Sequence, residues 1–295
     1  FSIESVRQTL DGTLGASSRM TSIISRKGDL VAGMHIEANA TGGSSIDNPG
    51  ANMIDSIEIQ IGGQEIDKQF GHWLEVWAEL TELNPGAIVG TADATTGTKF
   101  QNMSNFGGLA SAGFPLTNSI IPLQFWFCRN PGLALPLIAL QYHEVKIIIT
   151  TSSAITSYQH FNLFADYIYL DTDERRRFAQ VSHEYLIEQV QHQTLENTTS
   201  NDLTFNHPVK ELIWTATTNS STGVRANLTD TNYNIKLNGQ DRFAKRDLRY
   251  FTRAQVWQHH SGAGGLDSST PSTIGVHNNS IAVYSFALRP EEHQP

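Results

Sequence analysis

Two prolines within six residues, flanked by aromatics and a β-branched run, constrain this chain more than any other feature. Residues 121–150 read IPLQFWFCRNPGLALPLIALQYHEVKIIIT. Pro131 and Pro136 exclude a long helix here, because each lacks a backbone donor and clashes with the preceding turn. Phe125, Trp126 and Phe127 form an aromatic knot beside the turn Asn130-Pro131-Gly132. Residues 145–150 are short, apolar and β-branched, which predicts a buried strand. No catalytic group stands here with a partner, so the segment reads as scaffold.

The same alternation recurs along the chain. Leu30, Ala32, Met34 and Ile36 alternate with Val31, Gly33, His35 and Glu37. Ile57, Ile59 and Ile61 alternate with Glu58 and Gln60, and Gly62-Gly63 turns the chain into Gln64-Glu65-Ile66, a hairpin with one buried face. Residues 161–170 are apolar or aromatic on both faces, as in a strand deep in a sandwich. Further strands are expected at 203–214, 233–237, 250–258 and 281–288.

One helix is predicted over 72–81, where Trp73, Leu74, Val76, Trp77 and Leu80 recur at three- and four-residue spacing. The same spacing puts Trp73 and Trp77 on one face, expected to anchor the helix to the first sandwich. Asn84-Pro85-Gly86 ends it. A weaker helix is expected over 182–191, with Tyr185, Leu186 and Val190 on one side. Long polar loops at 39–52, 86–118, 215–231 and 259–279 join these elements. A boundary is expected between 171 and 203, where a charge cluster (Asp171, Asp173, Glu174, Arg175, Arg176, Arg177) precedes a polar stretch. That gives a first unit over 1–175, a linker over 176–203 and a second unit over 204–295. The cluster reads as a solvated, internally paired linker, with a salt-bridge network between domains or subunits as the alternative role for its arginines.

Chemistry-bearing motifs are sparse. No His-x-His pair occurs. His143-Glu144 and His183-Glu184 begin like a zincin helix, but Ile147 and Ile187 stand at the second histidine positions. His259 and His260, on a strand, would point to opposite faces and could not share one ion. Gly262-Ala263-Gly264-Gly265 reads as a flexible turn. No nucleophile elbow, phosphate loop or dinucleotide fingerprint is present. No metal, no cofactor and no enzymatic activity are therefore expected. Cys128 is the single cysteine, so an internal disulfide is excluded and a buried thiol beside Phe127 is expected. The formal net charge of −9 argues against a chain that coats nucleic acid directly. The longest apolar run, 133–140, is proline-interrupted and far short of the ~20 residues of a membrane helix. Six Asn-x-Ser/Thr sequons, at Asn39, Asn102, Asn197, Asn219, Asn227 and Asn278, fall in or beside predicted loops and are the candidate glycosylation sites.

Several blocks carry a resemblance. Residues 125–147 (FWFCRNPGLALPLIALQYHEVKI), 169–179 (YLDTDERRRFA), 205–214 (FNHPVKELIW) and 284–295 (YSFALRPEEHQP) resemble the major capsid protein family of the nucleocytoplasmic large DNA viruses, of phycodnavirus, iridovirus and mimivirus type. Residues 1–5 (FSIES) and 25–30 (SRKGDL) fit the same pattern, and the blocks run in family order. The resemblance implies an all-β double jelly roll: two tandem eight-stranded sandwiches with short helices in the loops, the second one truncated. It also implies a homotrimer forming a pseudo-hexagonal capsomer, with neighbouring capsomers and minor capsid proteins as partners, the virion as location and assembly in the host cytoplasm. Loops at one end would face the host. Phe1 inside a strand pattern and Pro295 just after one lead to the expectation of a partial chain, leaving Val283 and Phe286 short of cover. The rival reading is a jelly-roll carbohydrate-binding protein using Trp214 and Trp257, although both stand in strand patterns that look buried.

Overall fold

The computed structural model describes residues 2–41, 48–83, 98–107, 118–196, 198–217, 225–265 and 278–293. Among the described residues, the first unit holds nine strands: β1 (Ser2–Gln8), β2 (Arg19–Ile23), β3 (Leu30–Thr41), β4 (Ile54–Ile61), β5 (Gln64–Phe70), β6 (Ser119–Pro122), β7 (Leu135–Pro136), β8 (Val145–Thr151) and β9 (Ser157–Tyr169). They form two antiparallel sheets. One runs β1-β9-β3-β6, with β7 also on β3, and the other runs β2-β8-β4-β5. Period-two patterning makes them a sandwich, because each strand turns alternate residues inward. Met34, Ile36 and Ala38 of β3 and Leu163, Ala165 and Tyr167 of β9 meet Ile57 and Ile59 of β4 and Ile147 and Ile149 of β8 in one core. Ile61 packs on that core partly buried, while Glu58 and Gln60 lie on the outer side of β4, as the alternation requires. On β9 only one face is fully buried; Asn162, Phe164, Asp166 and Ile168 stay half-exposed on the other, so this strand lies at a sandwich wall rather than between two layers.

The β4–β5 hairpin turns at Gly62 and Gly63, with φ of +60° and +83°, a left-handed conformation that glycine adopts without strain. The aromatic knot is buried, with Trp126 and Phe127 opening a single helical turn, α4 (Trp126–Arg129), after α1 (Pro49–Asn52), α2 (Gly71–Thr81) and α3 (Lys99–Ser104). Burial beside this knot pushes the Cys128 thiol up to about 12.

The region after the first sandwich departs from expectation. The charge cluster opens a helix, α5 (Thr172–Gln180), capped by Asp171, whose carboxylate accepts the amides of Asp173 (3.1 Å) and Glu174 (2.9 Å). Arg175 forks onto Asp29 of the first unit through two contacts of 3.0 Å, whereas Arg176 and Arg177 are exposed. Residues 182–191 are extended rather than helical. His183, Tyr185 and Ile187 turn inward and Ser182, Glu184 and Leu186 outward, a period of two that helical spacing could not supply. The segment borrows its hydrogen bonds from the edge of the sandwich: Gln189 donates to the Ile66 carbonyl, and the Val190 amide donates to Asp67 at 2.9 Å. Burial pushes Asp67 up to about 6 against those bonds. Asp171→Ala should lower stability by about 1 kcal/mol, the usual cost of losing a cap. A urea midpoint indistinguishable from wild type would show that the cap is idle.

The second unit holds β10 (Glu211–Thr217), β11 (Arg225–Ala226), β12 (Asn232–Tyr233), β13 (Lys236–Leu237), β14 (Gln240–Asp241), β15 (Arg246–Asp247) and β16 (Ile281–Ser285). Its central sheet runs β11-β10-β16, and β12–β15 and β13–β14 are separate pairs. The strand expected over 233–237 is thus split. Its second part closes a hairpin at Asn238-Gly239, both at positive φ. The strand expected over 250–258 is helical: a π-helical turn, Tyr250–Ala254, continues into α6 (Gln255–His259). Leu248, Phe251, Thr252, Gln255 and Val256 are buried at helical spacing, which overrides the aromatic and β-branched content.

Candidate functional site: the joint between the two units

The two units meet on α2. Leu74 and Ala78 on one side of this helix belong to the sandwich core, while Val76 and Leu80 on the other pack with Val256, Ile281 and Val283 of the second unit. One helix therefore carries two hydrophobic faces, each serving a different core. This corrects the expectation for Val283, which is fully buried under helices instead of a second sheet; Phe286 is 38% exposed. It also corrects the anchor. Trp73 is half-buried and stacks on Trp77 at 5.3 Å, but Trp77 turns toward the joint, edge-on to His260 at 6.3 Å with the Arg129 guanidinium 5.1 Å over its ring.

The C-terminus of α2 is completed by the second unit. A helix leaves its last carbonyls without intrahelical partners. Here the Gly264 amide donates to the Glu79 carbonyl (2.9 Å), the Gly262 amide to the Leu80 carbonyl (2.7 Å) and the Ser261 hydroxyl to the Thr81 carbonyl (2.9 Å). The glycine-rich stretch is thus a cap supplied from about 180 residues downstream, not a free turn. Side chains other than hydrogen are excluded at Gly262, where a Cβ would stand 2.5 Å from the Glu79 carbonyl oxygen.

Charged groups close the joint around this cap. Glu188 of the linker bridges Arg129 (2.8 Å) and Lys210, and Lys210 also donates to the Glu292 carbonyl at 2.6 Å. His72 of α2 meets the Thr215 hydroxyl of β10 at 2.8 Å. His260, at the end of α6 and with its side chain wholly buried, sits between Glu211 (3.0 Å) and Glu291 (3.1 Å). An open cleft of about 350 Å³ lies alongside, lined by residues that include Trp126, Arg129, Glu188 and Glu291. The arrangement holds two blocks in one orientation. Among the described residues, no group of three or more His, Cys, Asp or Glu gathers as a metal site. His143 and His183 stand apart, the latter bonded to the Phe178 carbonyl at 2.9 Å.

The sequons do not converge on this joint. Asn39 lies on β3 opposite His160, and Asn102 lies in α3, so neither is in a loop. Asn227 is exposed and accepts the Asn279 amide at 2.8 Å. Asn278 accepts the Ser280 amide at 3.1 Å. Asn197 and Asn219 fall outside the described residues. Trp214 of β10 packs on Tyr233 and Phe251, whereas Trp257 is helical and 83% exposed, contrary to the buried strand expected for it. The residues of the joint are scattered from 72 to 292, so helical spacing on both sides of α2 is its one local signal in the sequence.

A family model described as major capsid protein N-terminus matches residues 1–173, and one described as large eukaryotic DNA virus major capsid protein matches residues 174–295. The major capsid protein of Pyramimonas orientalis virus is 43% identical, with the alignment spanning 100% of this chain and 79% of that one. That of Paramecium bursaria Chlorella virus 1 is 34% identical, spanning 100% of this chain and 75% of the relative. The quasi-atomic structure of the PBCV-1 virus capsid superposes with a TM-score of 0.75 at 30% identity, covering 100% of this chain and 79% of that chain. The Faustovirus major capsid protein, at 11% identity and a TM-score of 0.53, shares the fold alone. These neighbours are viral double jelly rolls, and the chain has that fold. Matches to capsid proteins along its whole length leave the sugar-binding reading unsupported.

Proposed function

The chain belongs to the major capsid proteins of large eukaryotic DNA viruses, and from that premise we propose that it acts as a homotrimer whose six sandwiches form a pseudo-hexagonal capsomer. It is a structural protein of the virion. The observation that carries the trimer reading is α2, whose two faces enter both cores and whose end is capped across the joint. Two blocks held this way behave as one rigid piece, and a piece that could hinge would not tile a shell of fixed curvature. The boundary near 171–203 fits this reading, with 176–203 as a linker strapped along the first block.

Neighbouring capsomers, minor capsid proteins and a host surface are the proposed partners. Nucleic acid is not, since a chain of net charge −9 offers no general basic face. Assembly in the host cytoplasm is part of the same proposal, as is the absence of a catalytic role. Among the described sequons, Asn227 is the exposed one, and a glycan on its Nδ2 would leave Oδ1 free to keep accepting the Asn279 amide. Obligate trimers of this kind bury upward of ~2,000 Å² per interface. Light scattering on the purified chain at micromolar concentration should give three times the 32.6 kDa chain mass. A monomer that stays monomeric across the concentration range would sink the trimer reading.

A further inference from the structure

We infer that His260 is a clasp, protonated at neutral pH, that locks residues 287–293 and β10 onto the end of α6 and that opens as the joint is made alkaline. Both ring nitrogens face carboxylate oxygens: Nε2 to Glu211 at 3.0 Å and Nδ1 to Glu291 at 3.1 Å. A neutral imidazole has one donor and one acceptor. It would turn a lone pair toward one of those carboxylates, so with both glutamates ionised the arrangement is satisfied only by the imidazolium. Glu291 is itself held in place, accepting the Ser261 amide and hydroxyl at 2.7 Å each. That ties the clasp to the cap on α2, because the same Ser261 hydroxyl reaches the Thr81 carbonyl.

The groups around the ring are accounted for. β10 contributes Glu211, the 287–293 segment contributes Glu291, and α2 contributes the uncharged edge of Trp77, with Arg129 of α4 over that indole. On its own helix, His259 points elsewhere, to the Leu288 carbonyl. Burial alone would lower the His260 pKa, but the hydrogen bonds to Glu211 and Glu291 outweigh it and raise it to about 9. Burial alone would raise Glu291, and the bonds from His260 and Ser261 bring it below the usual carboxylate range. The signs follow from linkage. A histidine pKa raised in the folded state stabilises fully below its unfolded value of 6.5 and loses that contribution as pH rises through about 9. A depressed glutamate contributes above 4.5 and loses its share as pH falls through its lowered value. The clasp therefore stays shut from mild acid to mild alkali. Acidification of the kind that drives most histidine switches leaves it closed.

Hydrogen exchange by mass spectrometry on the full chain, corrected for intrinsic rates between pH 6 and 10.5, tests this. Peptides covering 255–262 and 285–293 should lose protection progressively, by about tenfold per pH unit between pH 6.5 and about 9, and level off above that, while β8 does not change. Lys210→Arg, which keeps its charge through this range, should retain the decline. His260→Gln should lack it and be open already at pH 7. If that variant does not fold, Trp77 fluorescence decides on the wild type: quenching by the adjacent imidazolium should be relieved with a midpoint near pH 9, and the change should be absent in Trp77→Phe. A wild type whose protection in these peptides does not fall between pH 6.5 and 9.5, or a fall that is lost in Lys210→Arg, overturns the assignment.

Discussion

Leu80→Asp should detach the second unit from the first and lower stability by roughly 5 kcal/mol or more. Leu80 is fully buried between Val76 and the second-unit residues Val256, Ile281 and Val283. Removing a buried leucine side chain costs about 2–5 kcal/mol through lost burial and the space left behind. A carboxylate there would stand among Val76, Val256, Ile281 and Val283, and burying a charge in apolar surroundings adds several kcal/mol. It would also sit in the last turn of a helix, where negative charge opposes the macrodipole. Denaturant unfolding should show a separate early transition, and exchange should lose protection in β10 and β16 while β8 keeps it. Leu83→Asp is the control, because Leu83 is 68% exposed and its change should fall within about 0.5 kcal/mol. Coincident single transitions for wild type and Leu80→Asp would mean that the two cores do not share this helix.

Gly262→Val is expected to cost roughly 3 kcal/mol and to act at the same joint by a different route. A Cβ there would lie 2.5 Å from the Glu79 carbonyl oxygen and from the Leu80 carbonyl carbon, and 2.6 Å from the Leu80 carbonyl oxygen. These are backbone atoms of a packed helix and cannot swing aside, so the loop must lift. Overpacking costs about 1–3 kcal/mol, and each cap hydrogen bond lost adds about 0.5–1.5 kcal/mol. Gly63→Val makes a fair comparison: nothing lies within 4 Å of its Cβ, and only its φ of +83° resists the change. Its effect should stay local to the β4–β5 hairpin. Cap amides at Gly264 and residue 262 that exchange as slowly in Gly262→Val as in wild type would show that the loop does not need the glycine.

The outcome at particular elements shows where pattern was enough. Strands β4 and β8 were legible because a strand with one buried face must alternate, and because a β-branched run has few other uses. The start of α2 was legible for the same reason at a different period. Residues 250–258 read as a strand, yet their buried positions (Phe251, Thr252, Gln255, Val256) stand at helical spacing; aromatic and β-branched content hides that period. Residues 182–191 were misread in the opposite direction. Tyr185 and Leu186 looked like neighbours on one helical face, but Leu186 is 54% exposed and the segment is stretched along β5 by bonds to Ile66 and Asp67. Asp171 with Asp173 and Glu174 behind it was a legible cap, masked by reading the cluster for its charge alone.

By itself, the sequence determined the sandwich: which residues alternate, which faces are apolar, where prolines and glycines break the chain and, through its motif blocks, the family. Those are local properties, set by a period of two or 3.6 and by the conformational limits of single residues. The joint was decided only in three dimensions. That α2 serves two cores, that Gly262 and Gly264 cap it from the far half of the chain, and that His260 stays charged between Glu211 and Glu291 all depend on groups distant in sequence. Hydrogen-bond capping and burial of charge act over about 3 Å, so no pattern along the chain encodes them until folding has brought those residues together.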